Sequence, residues 1–135
     1  MSRSSELLKL RYLKNIKENP ELFVGIELEY PVTNLEGDAT DVEVIKRLFR
    51  YLVSALNLAV EKVDDFGNPI QLVDPVSQDA ILFEVSYTTI EFAFGKAETI
   101  QEVEERFSIY MEAIQKKLAE SNHAIVGCGI HPNWD

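Results

Sequence analysis

The chain has 135 residues, 46% hydrophobic and 27% charged, with a net charge of −10. A chain of this length forms one domain, residues 1–135, that buries roughly two-thirds of its unfolded surface. The acidic balance excludes a nucleic-acid partner, which needs clustered Lys and Arg, and no apolar run nears the roughly 18 residues of a transmembrane helix, which argues against a membrane partner.

One cysteine, Cys128, leaves no internal disulfide and fits a reducing cytosol. The first residues are polar and helical in pattern, with no signal-peptide core, so a cytoplasmic location is expected.

Residues 5–18 predict a helix with Leu7, Leu8, Leu10, Tyr12, Leu13 and Ile16 as its apolar stripe, capped by Ser4 or Ser5. Asn19-Pro20 ends it. Residues 22–33 predict a strand, since Val24, Ile26, Leu28 and Tyr30 alternate with Gly25, Glu27 and Glu29. A turn at residues 34–38 leads to Thr40-Asp41-Val42-Glu43, a capping box with Thr40 as its cap. The helix it opens carries Ile45, Leu48, Phe49, Leu52 and Leu56 and ends near Asn57.

Residues 59–63 and 70–73 predict a hairpin around Asp64-Asp65-Phe66-Gly67-Asn68-Pro69. Residues 80–87 and 89–94 are β-rich. Thr99-Ile100-Gln101-Glu102 is a second capping box, opening a helix to about Ser121. Residues 124–130 predict the last strand, with Cys128 buried in it and His123 on the surface before it. Hairpins and helical crossovers together predict an α+β fold: helices on one face of a curved, mainly antiparallel sheet.

The other sheet face carries Glu27 and Glu29, whose Cα atoms would lie roughly 6.5–7 Å apart. Such a pair repels unless solvated or bridged by a hard cation such as Mg²⁺, and both readings stand. Glu84 and Glu91 sit inside apolar β segments, where a charge is costly unless paired or coordinated. Their odd separation puts them on opposite faces of one unbroken strand; a turn or bulge around residues 86–89 would bring them together. Asp65-Phe66-Gly67 reads as turn chemistry, because no other kinase motif accompanies it.

Three stretches in order, Phe23-Val24-Gly25-Ile26-Glu27-Leu28-Glu29-Tyr30, then Phe83-Glu84-Val85-Ser86-Tyr87-Thr88-Thr89-Ile90-Glu91-Phe92, then Gly129-Ile130-His131-Pro132, resemble the N-terminal part of the glutamate–cysteine ligase family. The resemblance spans nearly the whole chain. It implies a glutamine synthetase-like sheet and ATP-dependent ligation of L-glutamate, through an acyl phosphate on its γ-carboxylate, to L-cysteine, the first step of glutathione synthesis. It implies Glu27, Glu29, Glu84 and Glu91 as ligands of Mg²⁺ or Mn²⁺, ATP as co-substrate, and His131 and Ser86 as substrate contacts. Family members are several times longer, so the chain is expected to be the N-terminal portion of such a catalytic domain and inactive alone.

Two other readings compete. One is a truncated homologue that serves as a binding or assembly module, forming homo-oligomers through exposed sheet edges. The other makes Glu84 and Glu91 an acid/base pair acting on a sugar.

Overall fold

A computed structural model describes residues 2–133. Its elements are α1 (Arg3–Lys14), β1 (Glu27–Asn34), α2 (Val42–Ala55), β2 (Ala59–Val63), β3 (Pro69–Val73), β4 (Ala80–Phe83), β5 (Thr89–Ala93), α3 (Ile100–Ala119) and β6 (His123–Ile125). The strands form one antiparallel sheet in the order β2-β3-β4-β5-β1-β6. The α+β class is as expected, with α2 and α3 on one face.

The alternation in β1 sets the two faces. Tyr30 pairs with Ile90 and Leu28 with Phe92, and Ile81 lies across from both Phe92 and Leu72. These residues look toward α2 and α3. There Val32, Leu72, Ile81, Ile90 and Phe92 meet Ile45, Leu48, Phe49 and Leu52 of α2 and Ile114 and Leu118 of α3, all 1% exposed or less. Burying such side chains contributes about 1.5–3 kcal/mol each.

Several boundaries differ from the expectation, each for a local reason. The first strand starts at Glu27 rather than residue 22; Val24 makes only an isolated bridge to Ala97. Helix α2 is capped by Asp41, whose Oδ1 accepts from Glu43 N–H at 2.9 Å. Thr40 is drawn away, its hydroxyl donating to the Val32 carbonyl at 2.6 Å. At α3 the Thr99 side chain accepts from Glu102 N–H as expected, but Glu102 accepts from Glu98 N–H instead of from Thr99. The β-rich run expected over residues 80–87 is a strand only to Phe83, and a turn reverses the chain into β5.

The last strand covers three residues, not seven. Val126 N–H donates to the Pro31 carbonyl at 3.0 Å, but Pro31 has no N–H to return the bond, so the ladder stops. Residues 126–130 leave the sheet and Cys128 is exposed, not buried. His123 is buried, not on the surface: its Nε2 accepts from Asp41 N–H at 3.1 Å and its Nδ1–H donates to the Ser121 carbonyl.

Helix α1 buries none of its residues, against the expected packed stripe. Its apolar side chains spread around the axis, Leu8 and Tyr12 on one side and Leu7, Leu10 and Leu13 on another, rather than along one stripe.

Candidate functional site

The sheet face away from α2 and α3 gathers acidic side chains. Glu27 and Glu29 stand on it by the parity of β1. Glu29 lies directly across from Glu91, and Glu27 across from Ala93, so Glu91 shares their face. On its other flank Glu91 faces Leu82. Glu84 follows Leu82 by two positions and continues its side, where its N–H bonds the Thr89 carbonyl at 3.3 Å. The turn between β4 and β5 thus resolves the odd spacing: Glu84 and Glu91 sit on neighbouring strands and on one face.

Glu91 is 9% exposed. Burial pushes its carboxyl up to about 7, helped by a hydrogen bond with Glu84 and by the charges of Glu84, Glu27 and Glu29. The ion pairs among the described residues are Lys46–Glu43, Arg106–Asp79 and Lys117–Glu120, and none involves these four glutamates. A proton held at Glu91 therefore relieves part of the repulsion on this face. Two residues before Glu27, Gly25 stands in open space, where a Cβ would meet nothing within 4 Å.

The departing chain walls off one end of this face. Residues 126–131 cross from the β6 side of β1 to its β5 side, where His131 Nε2–H donates to the Val32 carbonyl at 2.8 Å. His131 Nδ1 accepts from Asn133 N–H at 3.2 Å, which fixes the tautomer. Under this strap lies a cavity of about 400 Å³ lined by Glu29, Glu84, Thr89, Cys128 and His131. A neighbouring cavity of about 350 Å³ is lined by Thr40, Ser86, Thr88, His131 and Asn133. Ser86 there shares a 2.9 Å hydrogen bond with Thr88. So the four glutamates share a face, Glu29 and Glu84 share a cavity with His131, and Ser86 meets His131 in the next one.

Four carboxylates supply the hard oxygen donors that Mg²⁺ and Mn²⁺ prefer. Among the described residues, however, no three His, Cys, Asp or Glu side chains converge closely enough to hold a metal ion. The donor chemistry fits a divalent cation; the side-chain arrangement, with Glu84 and Glu91 bonded to each other, is that of the protonated face.

Sequence reasoning did not find the Asp64–Tyr87 pair. The Tyr87 hydroxyl donates to Asp64, which also accepts from the Asn68 side chain and from the N–H groups of Phe66 and Asn68. Tyr87 chiefly, then Asn68, holds the Asp64 carboxyl well below the usual range, and Asp64 pushes Tyr87 up to about 12. This bond ties the turn carrying Ser86 to the β2–β3 hairpin. Asp64 was legible as a turn residue; its partner, 23 positions away, was not.

No protein-family model matches the chain, and no curated protein matches its sequence. No helix among the described residues is long and apolar enough to cross a membrane.

Proposed function

We propose that this chain supplies the metal-holding sheet of an ATP-dependent ligase of the glutamate–cysteine type. The observation that carries the reading is the sharing of one open face by Glu27, Glu29, Glu84 and Glu91, with no ion pair to any of them among the described residues. Glu91 is central, flanked by Glu29 on one strand and Leu82 on the other. In this role the glutamates hold Mg²⁺ or Mn²⁺, which neutralises phosphate oxygens during phosphoryl transfer from ATP to the γ-carboxylate of L-glutamate. A bound cation would take the place of the proton held at Glu91. His131 and Ser86 line the adjoining cavities and orient the amino-acid substrates, L-cysteine among them.

No Lys or Arg forms an ion pair on this face among the described residues, so the chain alone lacks a cradle for a triphosphate. We therefore expect metal binding from the purified chain and no ADP release that depends on glutamate and cysteine. Titration with Mn²⁺, read by electron paramagnetic resonance, tests the reading. Saturable millimolar binding that weakens in Glu29→Gln and Glu91→Gln supports it. Equal, unsaturable binding in all three proteins refutes it.

The lack of cations also favours a second reading, a binding module that keeps the sheet without the chemistry.

A further inference from the structure

Helix α1 is basic in an acidic protein: Arg3, Lys9, Arg11 and Lys14 stand against Glu6 alone, while the chain as a whole carries −10. The helix is also apolar, with Leu7, Leu8, Leu10, Tyr12 and Leu13 between 51% and 76% exposed. A helix apolar on more than one side is normally packed between neighbours. The chain from Lys14 to Val24, anchored beside Ala97, reaches up to roughly 30 Å, yet α1 rests on none of its own domain.

The outer line of α3 is the complement. Glu102, Glu105, Ile109, Glu112 and Lys116 are exposed and follow one another at three- and four-residue steps along the helix. Ile109 lines two shallow cavities of about 240 and 220 Å³, whose walls include Tyr51 and Ala113 on one side and Leu56 and Val76 on the other. On α1, Leu10 and Lys14 have the same spacing as Ile109 and Glu105 read backwards. Laid antiparallel, Leu10 meets Ile109 and Lys14 meets Glu105, while Leu7 falls opposite Glu112 and Arg3 opposite Lys116.

From this match we propose that α1 docks antiparallel on the outer face of α3 in a second copy of this chain, reciprocally, giving a two-fold dimer. Reciprocity doubles the contact, toward the roughly 1,200 Å² of a stable interface. Two competing occupants fit less well. A bilayer-bound helix segregates its basic and apolar faces, and in α1 they are interleaved. Pairing of two copies through the open edge of β1 would bring Glu27 and Glu29 against their own counterparts. The docking surface lies on the opposite side of the sheet from the carboxylates, so its fate is independent of the ligase reading.

Sedimentation equilibrium of the full chain at low salt tests this, with Lys14→Glu, Glu105→Lys and their combination. Both positions are exposed, so the variants fold. The expected result is a dimer that each single reversal weakens at least about tenfold and that the double reversal restores to within about threefold. Leu10→Asp should also weaken it. A parent chain that stays monomeric overturns the proposal, whether α1 is free, folds onto its own domain, or binds vesicles of anionic lipid instead. So does a dimer indifferent to the reversals, or a double variant no better than the singles.

Discussion

Asp79 and Glu91 are the two buried carboxylates among the described residues, 2% and 9% exposed, on opposite sides of the sheet. Asp79 is fully answered. Arg106 Nη1 reaches Oδ1 at 2.9 Å, Tyr110 donates to Oδ2 at 2.9 Å, and Gly95 N–H donates to Oδ1 at 2.7 Å. Glu91 is answered only by another carboxyl. A buried charge with a matched cation and hydrogen bonds is a fixed part of the fold. One whose neighbours are all acids is stable only while protonated, or while something positive from outside takes the proton's place. The contrast separates a carboxylate that holds the structure from one suited to a ligand.

Substitutions should divide along the same line. The largest effect belongs to Asp79→Ala, which leaves Arg106 without its partner inside the protein. We expect a loss of about 3 kcal/mol or more in urea unfolding. A loss under about 1 kcal/mol would mean that water replaces the carboxylate and that the two sites are alike.

Gly95→Ala comes next. Its Cβ would stand 2.0 Å from the Ser77 carbonyl oxygen, so the loop must move and the Asp79 network with it. A cost of about 2–3 kcal/mol is expected from such overpacking. An unchanged midpoint would show slack in a region read as rigid.

Glu91→Gln should act in the opposite direction. The folded state raises this carboxyl from 4.5 to about 7, so the folded protein binds the proton more tightly than the unfolded chain. That contribution is complete below about pH 4.5 and is lost as pH climbs through 7. The parent should therefore lose on the order of 2 kcal/mol over this window, and the Gln variant should not. The difference between the two melting curves, pH by pH, isolates the group. Parallel curves would remove the pKa argument from the site.

The smallest effect is Glu27→Gln, which removes one repelling charge from an exposed position. Its melting temperature without metal should rise by an amount worth a few tenths of a kcal/mol. The rise that millimolar Mn²⁺ produces should shrink relative to the parent at fixed ionic strength. Identical metal shifts in both proteins would leave the face as ordinary solvated surface.

Much of this site was legible because strand parity is a local rule. Glu27 and Glu29 had to share a face once Ile26, Leu28 and Tyr30 were placed in the core. The joining of Glu84 to Glu91 needed only a turn or bulge around residues 86–89, although residues 80–87 read as one β-rich run. The helices α2 and α3 were equally plain from Ile45, Leu48, Phe49 and Leu52 and from Val103, Tyr110, Ile114 and Leu118.

What stayed hidden depends on partners distant in sequence. His123 is buried because the first N–H of the α2 cap, 82 positions earlier, needs an acceptor. Cys128 is exposed because the strand it seemed to belong to loses its ladder at Pro31. The apolar residues of α1 read as a stripe, but a stripe predicts burial only where another surface stands opposite.

Pro31 has one more consequence. A residue with an N–H at that position could answer Val126 and let the closing strand zip alongside β1 past Glu29 and Glu27. His131 would then be carried along the sheet's margin rather than over its face, and the carboxylates would lie on an open plain instead of in a cleft. The roof of the candidate site thus owes its course to the N–H that Pro31 lacks and to the bond from Cys128 N–H that turns the Val126 carbonyl away, at 3.0 Å.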